Sequence, residues 1–291
     1  MEGLAKRLNL PGLMKASGCV TETAQQERQT LAKDVFMTAQ AHSPQLHHVF
    51  GLHRTWTQRY VFNNLNALLN GPPNLSPDTL LRSLARYRGG YCHELNSAFK
   101  AHLERQGIEA TPYLARVVYR TGDRVLPPTH LYLLTQVAGR VLLCDTGFGN
   151  GLLWPIELDT ESARPQNTLA FQVRPSQSGR GLWISEQGQW DELYRLGDEP
   201  SRQAHIDTAN HYSATSPDSI FCRNLVLTRY TRGGRRRLLN LRYVNEMQQT
   251  VLLDSRSAFD SCLQGQFDVR PTAVEAGRLF EIARSAARPA A

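Results

Sequence analysis

Arg88-Gly89-Gly90-Tyr91-Cys92-His93-Glu94-Leu95-Asn96 places a cysteine where a glycine turn leads into an amphipathic helix. The apolar residues that recur at helical spacing after this cysteine are Leu95, Ala98, Phe99 and Leu103. The pattern predicts a helix over residues 92–105, ended by Gly107. Cys92 then lies in the first turn, where unpaired N–H groups and the helix dipole favour a thiolate. A buried structural cysteine is the alternative, because a lone cysteine often behaves as a small apolar residue.

A β-hairpin is predicted further along the chain. Residues 130–137 and 140–146 are rich in β-forming residues and are joined by Ala138-Gly139, which is typical of a two-residue turn. Such a turn puts His130 and Asp145 on the same face as diagonal neighbours, about 7–8 Å apart at the backbone. A three-residue loop would put them on opposite faces.

A thiol, an imidazole and a carboxylate together are the parts of a cysteine nucleophile. Asp145 would orient the imidazole of His130, which would accept the proton of Cys92. Each residue also has a simpler interpretation. A histidine at a strand start is often a solvated or capping residue, and an aspartate shortly before Gly147 is often a turn residue.

Four motifs, in this order along the chain, resemble those of the arylamine N-acetyltransferase family. Residues 88–96 meet every fixed position of its motif Arg-Gly-Gly-x-Cys-x-Glu-Leu-Asn, and His130 matches its strand-opening histidine. Residues 145–149 match its Asp-Val-Gly-Phe-Gly segment, with Thr146 in place of valine. Residues 210–219 resemble its Asn-x-Tyr-x-x-(Ser/Thr)-x-Pro-x-Ser stretch. The similarity spans nearly the whole chain.

The resemblance implies an α+β fold of the cysteine-protease-like kind. Its parts are an N-terminal helical bundle, a central β-barrel-like region with a Cys-His-Asp triad, and a C-terminal sheet with a lid helix. We assign these parts to residues 1–105, 106–210 and 211–291. Local patterns predict helices at 29–41, 79–87 and 273–287, and β-strands at 113–119, 130–137, 141–145, 181–185, 225–230 and 236–245.

The resemblance further implies a ping-pong acyl transfer. Cys92 would take an acyl group from a thioester, usually acetyl-coenzyme A (acetyl-CoA), and pass it to a small-molecule amine or hydrazine. By position, Phe62 and Phe148 match residues that line the acceptor pocket of the family, although both also suit a hydrophobic core. Two alternatives stay open: an amide synthase that takes its acyl chain from an acyl carrier protein, and a cysteine hydrolase.

Composition and charge restrict the partners. The 291 residues carry a net charge of +7, which favours a partly anionic partner such as the phosphates of CoA or an acidic carrier protein. The basic residues are scattered, with no aromatic platform between them, so no nucleic acid is expected. The densest cluster predicts either a phosphate contact or a solvated hairpin tip, and consists of Arg232, Arg235, Arg236 and Arg237.

The cysteines and the apolar runs predict a cytoplasmic protein without a metal site. Five cysteines, at positions 19, 92, 144, 222 and 262, are odd in number and lack metal-ligand spacing. No run is long and apolar enough to cross a bilayer, and the N-terminus lacks the apolar core of a signal peptide. No membrane partner is therefore expected.

Two stretches depart from the family pattern. Where the family has Pro-Phe-Glu-Asn-Leu, this chain has Val61-Phe62-Asn63-Asn64-Leu65. The preceding residues 43–60 are predicted to be an insertion, with His47, His48 and His53 at the surface, and residues 12–28 also fit the family poorly. These departures affect the expected acceptor pocket more than the expected triad.

Overall fold

The computed structural model describes residues 43–287 except 123, 161 and 232. The predicted helix at 29–41 and the divergent stretch 12–28 lie outside the described residues. Four helices and two short strands come first: α1 (Pro44–Arg59), β1 (Val61–Asn63), α2 (Leu65–Asn70), α3 (Pro77–Tyr87), β2 (Gly89–Gly90) and α4 (Cys92–Arg105). Apolar side chains of α1, α3 and α4 share one core, which includes Val49, Leu84 and Phe99.

Helix α4 carries the candidate nucleophile and has the predicted bounds. The backbone N–H of Tyr91 donates to Glu94 Oε2 at 3.2 Å and fixes the chain at the helix start. Phe99 and Leu103 are fully buried on its apolar face. Gly107 follows the last turn with φ +74°, a left-handed conformation that glycine adopts without strain.

Eight antiparallel strands form the central sheet, in the order β6-β5-β4-β3-β10-β9-β8-β7. Their bounds are β3 (Thr111–Val117), β4 (His130–Val137), β5 (Arg140–Cys144), β6 (Ile156–Glu157), β7 (Arg164–Gln166), β8 (Leu169–Pro175), β9 (Arg180–Glu186) and β10 (Gln189–Arg195). The β4–β5 hairpin has the predicted register, with Val137 opposite Arg140. Ala138 and Gly139 both have positive φ, as a two-residue hairpin turn requires.

A second sheet of six strands joins the N-terminal and C-terminal parts, in the order β14-β13-β12-β11-β1-β2. The remaining elements are α5 (Gln203–Thr215), α6 (Ile220–Arg223), β11 (Val226–Thr231), β12 (Gly234–Leu239), β13 (Arg242–Val244), β14 (Thr250–Leu252), α7 (Arg256–Phe267) and α8 (Ala273–Ala286). Helices α7 and α8 pack against this sheet through a core that includes Phe259, Phe267 and Leu279. The strand predicted at 236–245 is split in two, because the chain turns at Asn240 with φ +54°.

The α+β class with helices first, a large sheet in the middle and a sheet with helices at the end is confirmed. The division at residues 105 and 210 stays a prediction. Helix α5 crosses the second of these boundaries, and β1 and β2 pair within the C-terminal sheet. None of the helices in the described part of the chain is long and apolar enough to cross a membrane.

The stretch predicted as an insertion folds as helix α1. Ser43 caps it by accepting a hydrogen bond from the backbone N–H of Gln45 at 3.2 Å. The prediction that His53 is a surface side chain is wrong, because this residue is fully buried. The polar composition of the helix concealed a buried face that includes Val49 and Trp56.

Candidate active site

The candidate nucleophile lies where the first turn of α4 meets the loop after β5. Cys92 is the first residue of α4 and is 4% exposed. A Cβ atom built on Gly147, in that loop, would lie 2.6 Å from Cys92 Cα. Only glycine therefore allows the loop backbone to approach the helix this closely.

His130 and Asp145 form a buried pair beside the cysteine. His130 opens β4, Asp145 follows β5, and His130 Nε2 lies 2.8 Å from Asp145 Oδ2. This orientation leaves Nδ1 of the imidazole for the thiol. Burial lowers the pKa of His130, but Asp145 and Cys92 raise it more strongly, to about 10. The imidazole is therefore held as the cation.

Four groups donate hydrogen bonds to the carboxylate of Asp145. His130 Nε2 and the Tyr194 hydroxyl donate to Oδ2, at 2.8 and 2.9 Å. Asn96 Nδ2 and the Gly147 backbone N–H donate to Oδ1, at 2.9 and 3.0 Å. Burial raises the pKa of Asp145, but His130 and the other donors overcome this effect and lower it. The hydrogen bond from Gly147 also forms an Asx turn. Asp145 is therefore both a turn residue and the partner of His130, the two interpretations made from the sequence.

The electrostatic surroundings of Cys92 favour its thiolate. Burial raises the pKa of the thiol, but the imidazoles of His93 and His130 lower it to about 5. The other cysteines differ: burial raises the pKa of Cys144 and of Cys262. Cys92, Cys144, Cys222 and Cys262 are all free thiols.

Asn96 connects the nucleophile helix to the loop after β5. It lies one turn after Cys92 on α4, and its Nδ2 donates to the carbonyl of Leu131 at 2.6 Å as well as to Asp145. Its Oδ1 accepts from the backbone N–H of Thr146 at 2.8 Å. The i, i+4 spacing from Cys92 was visible in the sequence and would have identified this residue as part of the site.

His53 supports Asp145 from the opposite side. The backbone N–H of Asp145 donates to His53 Nε2 at 3.1 Å, and His53 Nδ1 donates to the carbonyl of Leu153 at 3.1 Å. Burial lowers the pKa of His53 to about 4, so its imidazole is neutral. Sequence analysis missed this role, because the partners of His53 lie about a hundred residues further along the chain.

The two phenylalanines predicted for the acceptor pocket take different places. Phe148 is half-buried, and its ring contacts the ring of His130 at a centroid distance of 4.9 Å and that of Tyr194 at 5.3 Å. Phe62 is buried and packs against Phe221 at 5.9 Å, beside the loop that holds Phe148. Phe148 therefore contacts the candidate triad directly, whereas Phe62 lies farther back.

The arginine cluster is not entirely a solvated hairpin tip, because at least one of its members is buried. Arg235 is buried, and its guanidinium donates to Asn150 Oδ1 at 2.9 Å and to Glu186 at 3.3 Å. Arg236 pairs with Glu246 at 2.6 Å. Arg232 lies outside the described residues. Within the described ranges, no group of three or more His, Cys, Asp or Glu side chains is placed to hold a metal ion.

Comparison with known proteins agrees with this geometry. A family model described as N-acetyltransferase matches residues 45–274. The arylamine N-acetyltransferase of Mycolicibacterium smegmatis is 31% identical over 210 residues, covering 70% of this chain and 75% of the relative. This chain belongs to the arylamine N-acetyltransferase family. The match begins where α1 begins, so the helix that supports Asp145 lies within the family region.

Further relatives support the family assignment and the fold. The arylamine N-acetyltransferase / N-hydroxyarylamine O-acetyltransferase of Salmonella typhimurium is 30% identical, with 78% of this chain and 83% of the relative covered. The structure of the Mycobacterium marinum arylamine N-acetyltransferase in complex with CoA superposes with a TM-score of 0.76. It covers 84% of this chain and 94% of its own at 23% identity, which confirms the predicted fold of the family.

Proposed function

We propose that this protein transfers an acetyl group from acetyl-CoA to an arylamine or hydrazine through a thioester on Cys92. One observation carries the proposal: in a member of this family, the cysteine in the first turn of α4 has its pKa lowered by a buried imidazole that is itself 2.8 Å from a carboxylate. The CoA complex of the M. marinum relative supports the choice of donor. Cys92, His130 and Asp145 are the proposed catalytic triad.

The first half-reaction begins from the ion pair of thiolate and imidazolium. The sulfur of Cys92 attacks the thioester carbonyl carbon, and the bond from that carbon to the CoA sulfur breaks. The departing CoA sulfur receives the proton from His130. The backbone N–H of Cys92 has no acceptor within α4, since it lies in the first turn, and is the proposed donor to the oxyanion.

The second half-reaction uses the same imidazole as a base. Acetylation removes the negative charge of the thiolate, which is one of the causes that raise the pKa of His130. The pKa of His130 is therefore lower in the acetyl-enzyme than in the resting enzyme, so its neutral imidazole is more readily available as a base. The amine nitrogen attacks the thioester carbon, its proton passes to His130, and the Cys92 thiolate departs.

The acceptor is proposed to bind against Phe148. The ring of Phe148 is half-buried and contacts the ring of His130, so a flat aromatic amine stacked on it would bring its nitrogen near the base. Phe62, behind the loop, is proposed to shape the back of this pocket. Since a free thiol is required for the reaction, we also propose that the protein works in the reducing cytoplasm.

Intact-protein mass spectrometry tests the proposal before any amine is added. Wild type, Cys92→Ser and Cys144→Ala are each mixed with acetyl-CoA. We expect one acetyl adduct on wild type and on Cys144→Ala, whose thiol is held protonated by burial, and none on Cys92→Ser. Addition of an arylamine should then remove the adduct and produce the N-acetylated amine.

Two results would contradict the proposal. An equal adduct on Cys92→Ser would show that another group is acetylated, and Cys222, the most exposed of the four described cysteines, would be replaced next. No adduct on folded, reduced wild type would exclude acetyl-CoA as the donor. Longer acyl-CoAs and acyl-loaded carrier proteins would then be compared in the same assay.

A further inference from the structure

The residue after the candidate nucleophile is a second imidazole that the triad does not use. His93 corresponds to a variable position of the motif, between Cys92 and Glu94. Its side chain is fully buried on α4. Neither ring nitrogen makes a hydrogen bond of acceptable geometry within the part of the chain that the structure describes. A buried polar group without a partner destabilises the folded state, so a histidine is an unfavourable choice here unless it has a role.

His93 directly follows Cys92 in the first turn of α4, and both side chains are buried. Among the causes that lower the pKa of the thiol, the charge of the His93 imidazole is the largest. Edge-on packing against the ring of Tyr91, at a centroid distance of 5.4 Å, fixes the ring plane. The Tyr91 hydroxyl is in turn bonded to Asn210, so the ring that orients His93 is itself held.

We propose that His93 is a further catalytic residue: its ring N–H donates to the Cys92 sulfur in the thiolate state and shares the stabilisation of that charge with His130. The proposal rests on the proposed role of Cys92 as the nucleophile. Proton transfer remains between the thiol and His130, and His93 only completes a hydrogen bond when the negative charge forms. One of the two unpaired ring nitrogens of His93 then gains a partner whenever the sulfur is in the thiolate form.

The charged and titratable groups around this contact come from three elements. His130 faces the sulfur from β4, and Asp145 stands behind it in the loop after β5. Tyr91 and Glu94 flank His93 on its own segment, and burial raises the pKa of Glu94 to about 7. All of these groups remain in the variants below, so a difference from wild type reports on His93 alone.

The pH profile of alkylation tests the proposal. The rate of iodoacetamide addition at Cys92 is followed by peptide mass spectrometry across the acidic and neutral range for wild type, His93→Phe and His93→Leu. Wild type should reach half of its maximal rate near the pKa of about 5. Both variants lack ring nitrogens, and their midpoints should rise by about one pH unit, equivalent to a tenfold change in the thiol equilibrium.

Two further variants calibrate the measurement. His93→Gln keeps an N–H donor but cannot carry a positive charge, so its midpoint should lie between those of wild type and His93→Phe. His102→Gln is the matched control, because His102 lies on the same helix but packs on Trp56 at 5.0 Å. Its midpoint should equal that of wild type. Near-ultraviolet circular dichroism identifies the variants that retain the native fold.

The outcomes separate catalysis from simple damage to the core. A structural defect would slow alkylation at every pH, whereas the proposed role slows it at low pH and lets the rates converge at high pH. A wild-type midpoint in the folded nitrogen-free variants would overturn the proposal. The assay needs no acetyl donor, so it gives this answer even if acetyl-CoA fails to acetylate the wild type.

Discussion

At the scale of single residues, the site depends most on the hydrogen bonds that occupy both carboxylate oxygens of Asp145. The two oxygens of Asp145 accept four hydrogen bonds and have no exposure to water. A buried carboxylate stays charged only when it is paired and hydrogen-bonded in this way. The charge of Asp145 in turn keeps the imidazole of His130 protonated and oriented.

Tyr194→Phe should weaken this arrangement without changing its shape. The variant removes the hydroxyl that donates to Asp145 at 2.9 Å, and a hydrogen bond to a charged group contributes about 1.5–3 kcal/mol. We expect the free energy of unfolding in urea to fall by about this amount, and the rate of Cys92 acetylation to fall with it.

Tyr132→Phe is the matched control for this variant. The two rings stack at 6.0 Å, but the Tyr132 hydroxyl donates to a neutral carbonyl, that of Gly197, at 3.4 Å. Its removal should cost less stability and leave acetylation unchanged. Equal losses in the two variants would mean that the bond to Asp145 has no special importance.

The residues that sequence analysis found and missed differ in the range of their contacts. Cys92, His130 and Asp145 lie in local patterns, a helix start and a hairpin whose register follows from a two-residue turn. Tyr194 could not be located, because it reaches Asp145 only through the pairing of β10 with β3 across about eighty residues. His53 was misplaced for the same reason.

At the scale of elements, the loop after β5 packs in close contact with the first turn of α4. A Cβ atom on Gly147 would meet Cys92 Cα at 2.6 Å and Asn96 Nδ2 at 2.8 Å. The first neighbour is backbone, so neither side can yield without moving a helix or a strand end. The position of this loop against the nucleophile helix therefore depends on the absence of a side chain at residue 147.

Gly147→Ala should separate the nucleophile from its base. Relief of the clash has to move the loop, and a displacement of about 1 Å at a reactive centre costs about a hundredfold in rate. We expect single-turnover acetylation to fall by that order, together with a loss of about 1–3 kcal/mol of stability from overpacking.

Gly265→Ala provides the comparison for this loss. Gly265 lies on α7 with no atom within 4 Å of an added Cβ. Alanine there should leave acetylation unchanged and increase stability by about 0.5–1 kcal/mol, because glycine is unfavourable inside a helix. If both glycine variants kept wild-type acetylation, the close approach of the loop would be unimportant for catalysis.

Agreement between sequence and structure was best for elements whose ends carry a local signal. Helix α4 and strand β4 have the predicted bounds, since a glycine turn and a hairpin turn define them. The interpretation of 43–60 as an insertion did not anticipate helix α1, because the buried face of this helix emerges only when the loop near Leu153 packs on it. The prediction of a single strand at 236–245 did not account for the turn at Asn240.

At the scale of the whole molecule, the buried histidine of α1 couples stability to pH. The neutral ring of His53 accepts a hydrogen bond from Asp145 and donates one to Leu153. Protonation of Nε2 would turn this acceptor into a donor that faces the backbone N–H of Asp145, which is also a donor, inside the core. The pKa of His53 is therefore lowered from 6.5 to about 4 in the folded state, with burial as the main cause.

This coupling predicts an acid-sensitive fold. Between pH 6.5 and 4 the unfolded chain binds a proton at His53 that the folded protein does not, so stability is complete above this window and falls as the pH decreases. The lowered pKa corresponds to about 3 kcal/mol across the window.

His53→Gln isolates this contribution. Glutamine has a donor and an acceptor but does not titrate, so urea unfolding of the variant should show a smaller loss of stability between pH 6.5 and 4 than wild type. Glu94, whose raised pKa acts in the opposite direction, is common to both proteins and cancels in the difference. Parallel pH profiles for the two proteins would refute the assignment.

The buried guanidinium of Arg235 joins the C-terminal sheet to the central sheet beside the candidate site. It lies on β12 and is bonded to Asn150 in the loop after β5 and to Glu186 on β9. Sliding one sheet past the other would break these charge-assisted bonds. We therefore expect substrates to reach Cys92, which is 4% exposed, by rotation of side chains such as Phe148. Such rotations are faster than hinge motions, so no slow opening step should govern turnover.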